Sequence, residues 1–170
     1  NFGQSLGKVP LLQALGTLSC YGRRQAFFRG EFYSALRIVQ AGDVSVEQFR
    51  GSWAGAFGHT QFMPTTFERL AVDFDGDGRR DLMNSEADAL ASTANFLRKA
   101  GWQTGKPWGI EVRLPAGFNP SGEKRTNKRS VQTWINRGLV RVDGTDLAGA
   151  GAHAADKAGL LLPAGINGPA

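Results

Sequence analysis

The sequence holds one cysteine, Cys20, two histidines, His59 and His153, and no long apolar run. A single thiol excludes an intrachain disulfide and says nothing for or against an oxidising compartment. No Cys/His cluster, no Ser/His/Asp array and no glycine-rich phosphate loop can be assembled. No stretch approaches the ~20 apolar residues that carry a helix across a bilayer. No secretory leader is visible, and the chain opens on Asn1 rather than methionine, as a processed or trimmed product would. Cys20 falls inside an apolar helical pattern and is expected to be a buried structural thiol. His59 is expected as a surface or packing residue, and His153, among glycines and alanines, as exposed.

What is present suits an ordinary globular chain. It has 170 residues, 41% of them apolar, a net charge of +5 and a pI near 9.8. A basic balance favours acidic partners such as nucleic acid, anionic lipid or an anionic polymer. The lysines and arginines are scattered, apart from Lys124-Arg125-Thr126-Asn127-Lys128-Arg129. That run lies among Gly117, Pro120 and Gly122 and reads as an exposed loop, either solvated or touching an anion.

Up to about Gly101 the texture is helical. Pro10 opens an apolar stripe of Leu11, Leu12, Leu15, Leu18 and Cys20, and Gly22 ends it. A second run, 23–41, carries Phe27, Phe28, Phe32, Leu36 and Val39 at helical spacing and is interrupted by Gly30. A short helix is expected over 45–49. Thr65 and Glu68 form a capping-box pattern for the next helix. Residues 87–100 are the clearest helix, with Ser85 as cap and Gly101 as stop. From about Thr104 glycine and proline punctuate short apolar runs, 108–115, 138–142 and 159–165, which read as strands. Residues 130–136 suit one or two helical turns. The reading is α+β: a helical domain over 1–103, then a small β-rich domain over 104–170.

Two stretches carry the chemistry. The first is Asp73-Phe74-Asp75-Gly76-Asp77-Gly78-Arg79-Arg80-Asp81, an EF-hand-like loop. Its three leading carboxylates and its glycine bend match a calcium loop. Arg79 would offer its backbone carbonyl and Asp81 would take the ninth place. The twelfth place holds Asn84 instead of a bidentate glutamate, so a lengthened loop would use Asp88. Hard oxygen donors at this spacing suit Ca2+ in a structural role. The competing reading is a solvated acidic turn in which Arg79 and Arg80 pair with the aspartates.

The second stretch is GSWAGAFGHTQFMP, residues 51–64. It is too glycine-rich for a helix and too irregular for a half-buried strand. Together with G-x-x-L-G-K at 3–8, Y-x-R-R at 21–24 and V-D-F-D-G-D-G at 72–78, it resembles the B-type lytic murein transglycosylases of Gram-negative bacteria. The resemblance is strong over 1–105 and weaker beyond.

The resemblance implies a lysozyme-like helical core acting on peptidoglycan glycan strands in the periplasm, with the parent protein soluble or anchored at the outer membrane. It implies cleavage of the MurNAc-β-1,4-GlcNAc bond with 1,6-anhydro-MurNAc ends, one glutamate moving the protons. By the family motif that glutamate lies about two residues upstream of Asn1, so the chain itself is expected to be inactive. Of its own glutamates, Glu31, Glu47, Glu68, Glu86, Glu111 and Glu123, none sits in a catalytic-looking motif. A C-terminal helical segment is expected after Ala170.

The resemblance assigns substrate contacts to Ser52 and Gln61, to one of Arg23 and Arg24, and to Phe96, where stacking and core packing compete. The glycines of 51–58 would let backbone approach the glycan, while Trp53 and Phe57 would be core. No organic cofactor and no nucleic acid is expected, and the protein is expected to be a monomer. A non-catalytic wall-binding module and a muramidase-type hydrolase are the alternatives.

Overall fold

The computed structural model describes residues 6–149 and 151–162. It divides into two compact units, Asn1–Trp102 and Gln103–Ala170.

The first unit runs β1 (Val9–Pro10), α1 (Leu11–Tyr21), α2 (Gln25–Ala41), β2 (Arg50–Gly51), α3 (Pro64–Leu70) and α4 (Glu86–Lys99). Pro10 suits the start of α1, where its missing N–H is no loss. α1 packs along α2, and α2 also meets α3. The core joins Leu11 and Leu15 of α1, Ala35 and Ile38 of α2, and Phe49, Phe57, Phe62, Phe67 and Leu82. Phe57 is its centre. It meets Phe49 edge-on at 4.8 Å and Phe67 at 5.4 Å between ring centroids.

Several expectations for this unit are corrected. Cys20 is exposed rather than buried; Ala14, Leu15 and Ser19 take the inward face of α1. The fully buried face of α2 is Glu31, Ser34, Ala35 and Ile38; of the expected stripe, Phe28, Phe32 and Val39 pack half-buried against the core, while Phe27 and Leu36 are exposed. Small residues there let the two helices approach closely, and the aromatics fall on the flanks. Trp53 is 72% exposed, whereas Phe57 is fully buried. Residues 46–48 form a turn and not a helix.

The capping box of Thr65 and Glu68 is also absent. α3 starts one residue earlier, at Pro64, with Met63 as a cap that makes no side-chain bond. Glu68 pairs instead with Arg37, at 2.6 and 2.8 Å. A local sequence pattern lost here to partners on another helix.

The second unit runs β3 (Val112–Arg113), β4 (Arg129–Ser130), α5 (Val131–Asn136), β5 (Val140–Arg141) and β6 (Lys157–Ala158). β3 pairs antiparallel with β5, and β4 with β6. Each ladder is two residues long, so turns rather than sheet dominate, and "β-rich" overstates the described part. Residues 159–162 lie outside any strand, and 163–165 lie outside the described residues. The core is Val131, Trp134, Leu139, Leu147 and Leu160. Ser130 caps α5 by accepting from Thr133 N at 3.1 Å. Trp134 Nε1 donates to the Ala158 carbonyl at 2.9 Å, which anchors β6 on α5.

Candidate functional site

The stretch 51–64 folds as three short backbone passes. Gly51 bridges to Phe57, and Phe57 to Phe62. Phe57 and Phe62 exchange both backbone hydrogen bonds at 3.0 Å. Buried rings at 57 and 62 hold the passes to the core. The glycines are there for the core, not for a ligand. A Cβ on Gly51 would meet Leu11 and the Ala56 carbonyl, on Gly55 would meet Leu15, and on Gly58 would meet Leu82. This corrects the expectation that they open the backbone to a glycan.

Ser52 and Gln61 are both half-buried on this wall. Ser52 Oγ accepts from Ala56 N at 3.1 Å, which leaves its hydroxyl hydrogen free to donate. Gln61 stands in the left-handed backbone region, φ 54°, where a residue with a Cβ is strained. Its Nε2 donates to the Gly58 carbonyl at 2.9 Å and reaches the Leu6 carbonyl at 3.5 Å. Among the described residues its Oε1 has no partner.

The segment preceding β1 touches both residues. Beside Leu6, Gly7 has φ 88° and lies so close that a Cβ would overlap the Gly51 carbonyl and the Ser52 backbone nitrogen. Leu6 and Gly7 are therefore seated on the wall that carries Ser52 and Gln61.

Arg23 and Arg24 lie in the turn between α1 and α2. Arg24 is the second non-glycine residue at positive φ, 63°, and its guanidinium sits 4.2 Å from the Phe27 ring centroid. Arg23 is exposed. Phe96, on α4, is 41% exposed and packs against Phe62 at 5.9 Å, so one ring faces the core while presenting an open side.

The sequence reading did not find the roles of two further residues. Glu31 is 2% exposed, and its carboxylate accepts from Thr65 N at 2.9 Å and Thr65 Oγ1 at 2.7 Å. It satisfies an N–H that α3 leaves orphaned at its start. Thr60 encloses a hydroxyl with no protein partner among the described residues. A one-residue glutamate on a helix and a lone threonine carry no local signal.

No glutamate of the chain stands ready as a proton donor on this wall. Glu31 is bonded to Thr65, Glu68 to Arg37, and Glu123 to Arg129 and Arg137. Glu47, Glu86 and Glu111 are exposed. Arg37 holds the Glu68 carboxyl below the usual carboxylate range, and Arg129 with Arg137 does the same to Glu123.

The aspartate loop closes on α4. Asp88 is 1% exposed in the first turn of that helix; its two oxygens accept from Phe74 N and Asp81 N, both at 2.8 Å. Asp73 accepts from Gly76 N and Gly78 N, at 2.7 and 3.0 Å. Asp73, Asp75 and Asp88 each bring a carboxylate oxygen within 4.8 Å of the other two. Asp77 and Arg79 lie outside that group. So does Asp81, whose carboxylate accepts from Met83 N and Asn84 N. Arg80 pairs with Asp43 at 2.6 Å rather than with the loop. The three converging carboxylates fit a hard divalent cation, since without one they would repel each other.

The comparisons with known proteins agree with one another. The transglycosylase SLT domain family matches residues 1–170. The membrane-bound lytic murein transglycosylase B of Escherichia coli is 37% identical over 140 residues, 82% of this chain and 38% of that protein. SltB3 from Pseudomonas aeruginosa, in complex with NAG-NAM-pentapeptide, is 48% identical, with a TM-score of 0.85 over 99% of this chain and 45% of its own. The E. coli lytic transglycosylase Slt35, in complex with calcium, is 33% identical, with a TM-score of 0.75 over 94% of this chain and 48% of its own. The chain thus spans less than half the length of these relatives. Among its described residues, no helix is long and apolar enough to cross a membrane. With motifs, fold and relatives in agreement, the chain belongs to the transglycosylase SLT domain family, as a B-type lytic transglycosylase sequence with the family's lysozyme-like helical core.

Proposed function

We propose that the protein containing this chain cleaves the MurNAc-β-1,4-GlcNAc bond of peptidoglycan and leaves 1,6-anhydro-MurNAc ends, and that residues 1–102 form one wall of its glycan cleft. The observation that carries this reading is the seating of Leu6 and Gly7 on Ser52 and Gln61. The catalytic acid of this reading lies outside the described residues, and in the proposal it acts against the same wall.

That acid protonates the glycosidic oxygen as the C1–O bond breaks. The muramyl 6-hydroxyl then adds to C1, and the carboxylate takes its proton, so no water is consumed. Ser52 and Gln61 orient the acid and grip the N-acetyl and hydroxyl groups of the sugar. The free Oε1 of Gln61 accepts, and the Ser52 hydroxyl donates. Arg23, unpaired among the described residues, suits a substrate carboxylate better than Arg24, which lies over Phe27. The open side of Phe96 stacks on a sugar face.

Asp73, Asp75 and Asp88 would hold a calcium ion. Bound there, it would supply the charge neutralisation that ties the loop to α4. The reading places the protein in the periplasm.

The test is product mass. The full-length protein, incubated with purified sacculi, should release muropeptides one water lighter than hydrolysis products. Release of hydrated ends alone would make it a muramidase, and binding without release a wall-binding module; either result removes the proposal.

A further inference from the structure

The net charge is unevenly divided. The first unit carries 11 Lys and Arg against 10 Asp and Glu, a net of +1; the second carries nine against five, a net of +4. Most of the excess centres on the loop between Asn119 and Arg129, and that loop is built rather than loose. Ser121 N donates to Asn119 Oδ1 at 2.9 Å, Glu123 N to the Pro120 carbonyl at 2.9 Å, and Asn127 N to the Lys124 carbonyl at 2.9 Å. Gly159 lies so close behind it that a Cβ would overlap the carbonyl oxygens of Arg125 and Lys124.

Within the loop the cations fall into two groups. Glu123, its side chain 5% exposed, binds Arg129 at 3.1 Å and Arg137 at 2.6 Å, and both guanidiniums lie over the Trp134 ring. These two arginines are structural. Lys124, Arg125 and Lys128 are exposed and have no carboxylate partner among the described residues. The loop therefore spends its one carboxylate on its own foundation and presents three uncompensated cations on a fixed backbone.

We infer that Lys124, Arg125 and Lys128 form an electrostatic docking surface for the carboxylates of peptidoglycan stem peptides. A surface that inserts into lipid flanks its cations with large apolar residues. Here the neighbours are Asn119, Ser121, Thr126 and Asn127, and none of the exposed large apolar residues falls between 109 and 141. A hydrated, multiply carboxylated polymer matches both the charge and the polarity. Contacts of this kind, weak singly, add on a repeating polymer and fade with salt. The inference rests on the peptidoglycan reading above and adds a second region of contact to it.

The experiment measures co-sedimentation of the full-length protein with intact sacculi, with sacculi stripped of peptides by an amidase, and with phosphatidylglycerol vesicles. The triple variant Lys124→Gln, Arg125→Gln, Lys128→Gln is compared with Arg29→Gln, Arg98→Gln, Lys99→Gln, which removes the same charge from the first unit. All six side chains are exposed, and equal melting temperatures establish that both variants fold. The loop variant should bind intact sacculi about tenfold more weakly at low salt, with a flatter salt dependence. The control should change little, and the stripped glycan should show no difference between wild type and loop variant.

Unchanged affinity of the loop variant overturns the inference. So does an equal loss on stripped glycan, which would make the contact a sugar contact, or a loss confined to the vesicles, which would make it a membrane contact. Wild-type protein that binds no sacculi at all removes the peptidoglycan reading along with it. Binding and cleavage that survive in the loop variant remove the inference alone.

Discussion

Glu31→Ala offers the most direct test of how the wall is held. The buried carboxylate accepts two hydrogen bonds from Thr65, at 2.9 and 2.7 Å, and joins α2 to the start of α3 four residues beyond Gln61. Each bond to a charged acceptor contributes about 1.5–3 kcal/mol, and truncation leaves the Thr65 N–H and hydroxyl without partners. The expected loss is about 3–5 kcal/mol. For a unit near 100 residues, each kcal/mol moves the melting temperature by about 4–8 °C, so the variant should melt at least about 12 °C lower.

Glu31→Gln separates charge from shape. Its carbonyl still accepts from Thr65 N and its amide can donate to Thr65 Oγ1, so a loss of about 1–2 kcal/mol is expected. Combining Glu31→Ala with Thr65→Val should show a coupling of about 1–3 kcal/mol. Thermal melts followed by circular dichroism measure all of these. A Glu31→Ala protein melting within about 2 °C of wild type would refute the clamp. A Gln variant as damaged as the Ala variant would refute the role assigned to hydrogen bonding.

Calcium should raise the melting temperature of the wild-type chain relative to chelator, and Asp88→Asn should abolish most of that difference; identical curves with and without calcium would remove the metal site. Gln61→Gly relieves the backbone at φ 54° while deleting the carboxamide, so stability should hold or rise by about 1 kcal/mol while affinity for sacculi falls; unchanged affinity would strip Gln61 of its binding role. Arg129 and Arg137 lower the folded-state pKa of Glu123. Its stabilisation is therefore full above the unfolded value of about 4.3 and is lost as pH falls through the lower folded value. The stability gap between wild type and Glu123→Gln should stay level near neutrality and shrink below about pH 4.3, and a gap that widens on acidification would contradict the ion pairs.

Sequence alone determined what depends on neighbours along the chain. The stop of α1 at Gly22 and the Ser85 cap of α4 are set by residues within one helical turn of each other, and they were legible. So was the spacing of aspartates along 73–81 and, through its motifs, the family. Only the tertiary structure decided which faces are buried. Whether Cys20 and Trp53 face solvent, and whether Glu31 is buried while Phe27 is exposed, depends on where α1, α2 and the 51–64 wall meet. It also decided the partners of the acids. Glu31 finds Thr65 across 34 positions and Asp88 finds Phe74 across 14. The glycines at 51, 55 and 58 likewise owe their identity to Leu11, Leu15 and Leu82 packed behind them. A buried carboxylate or an absent Cβ answers to whatever the fold brings within a few ångströms, and distance along the chain does not encode that.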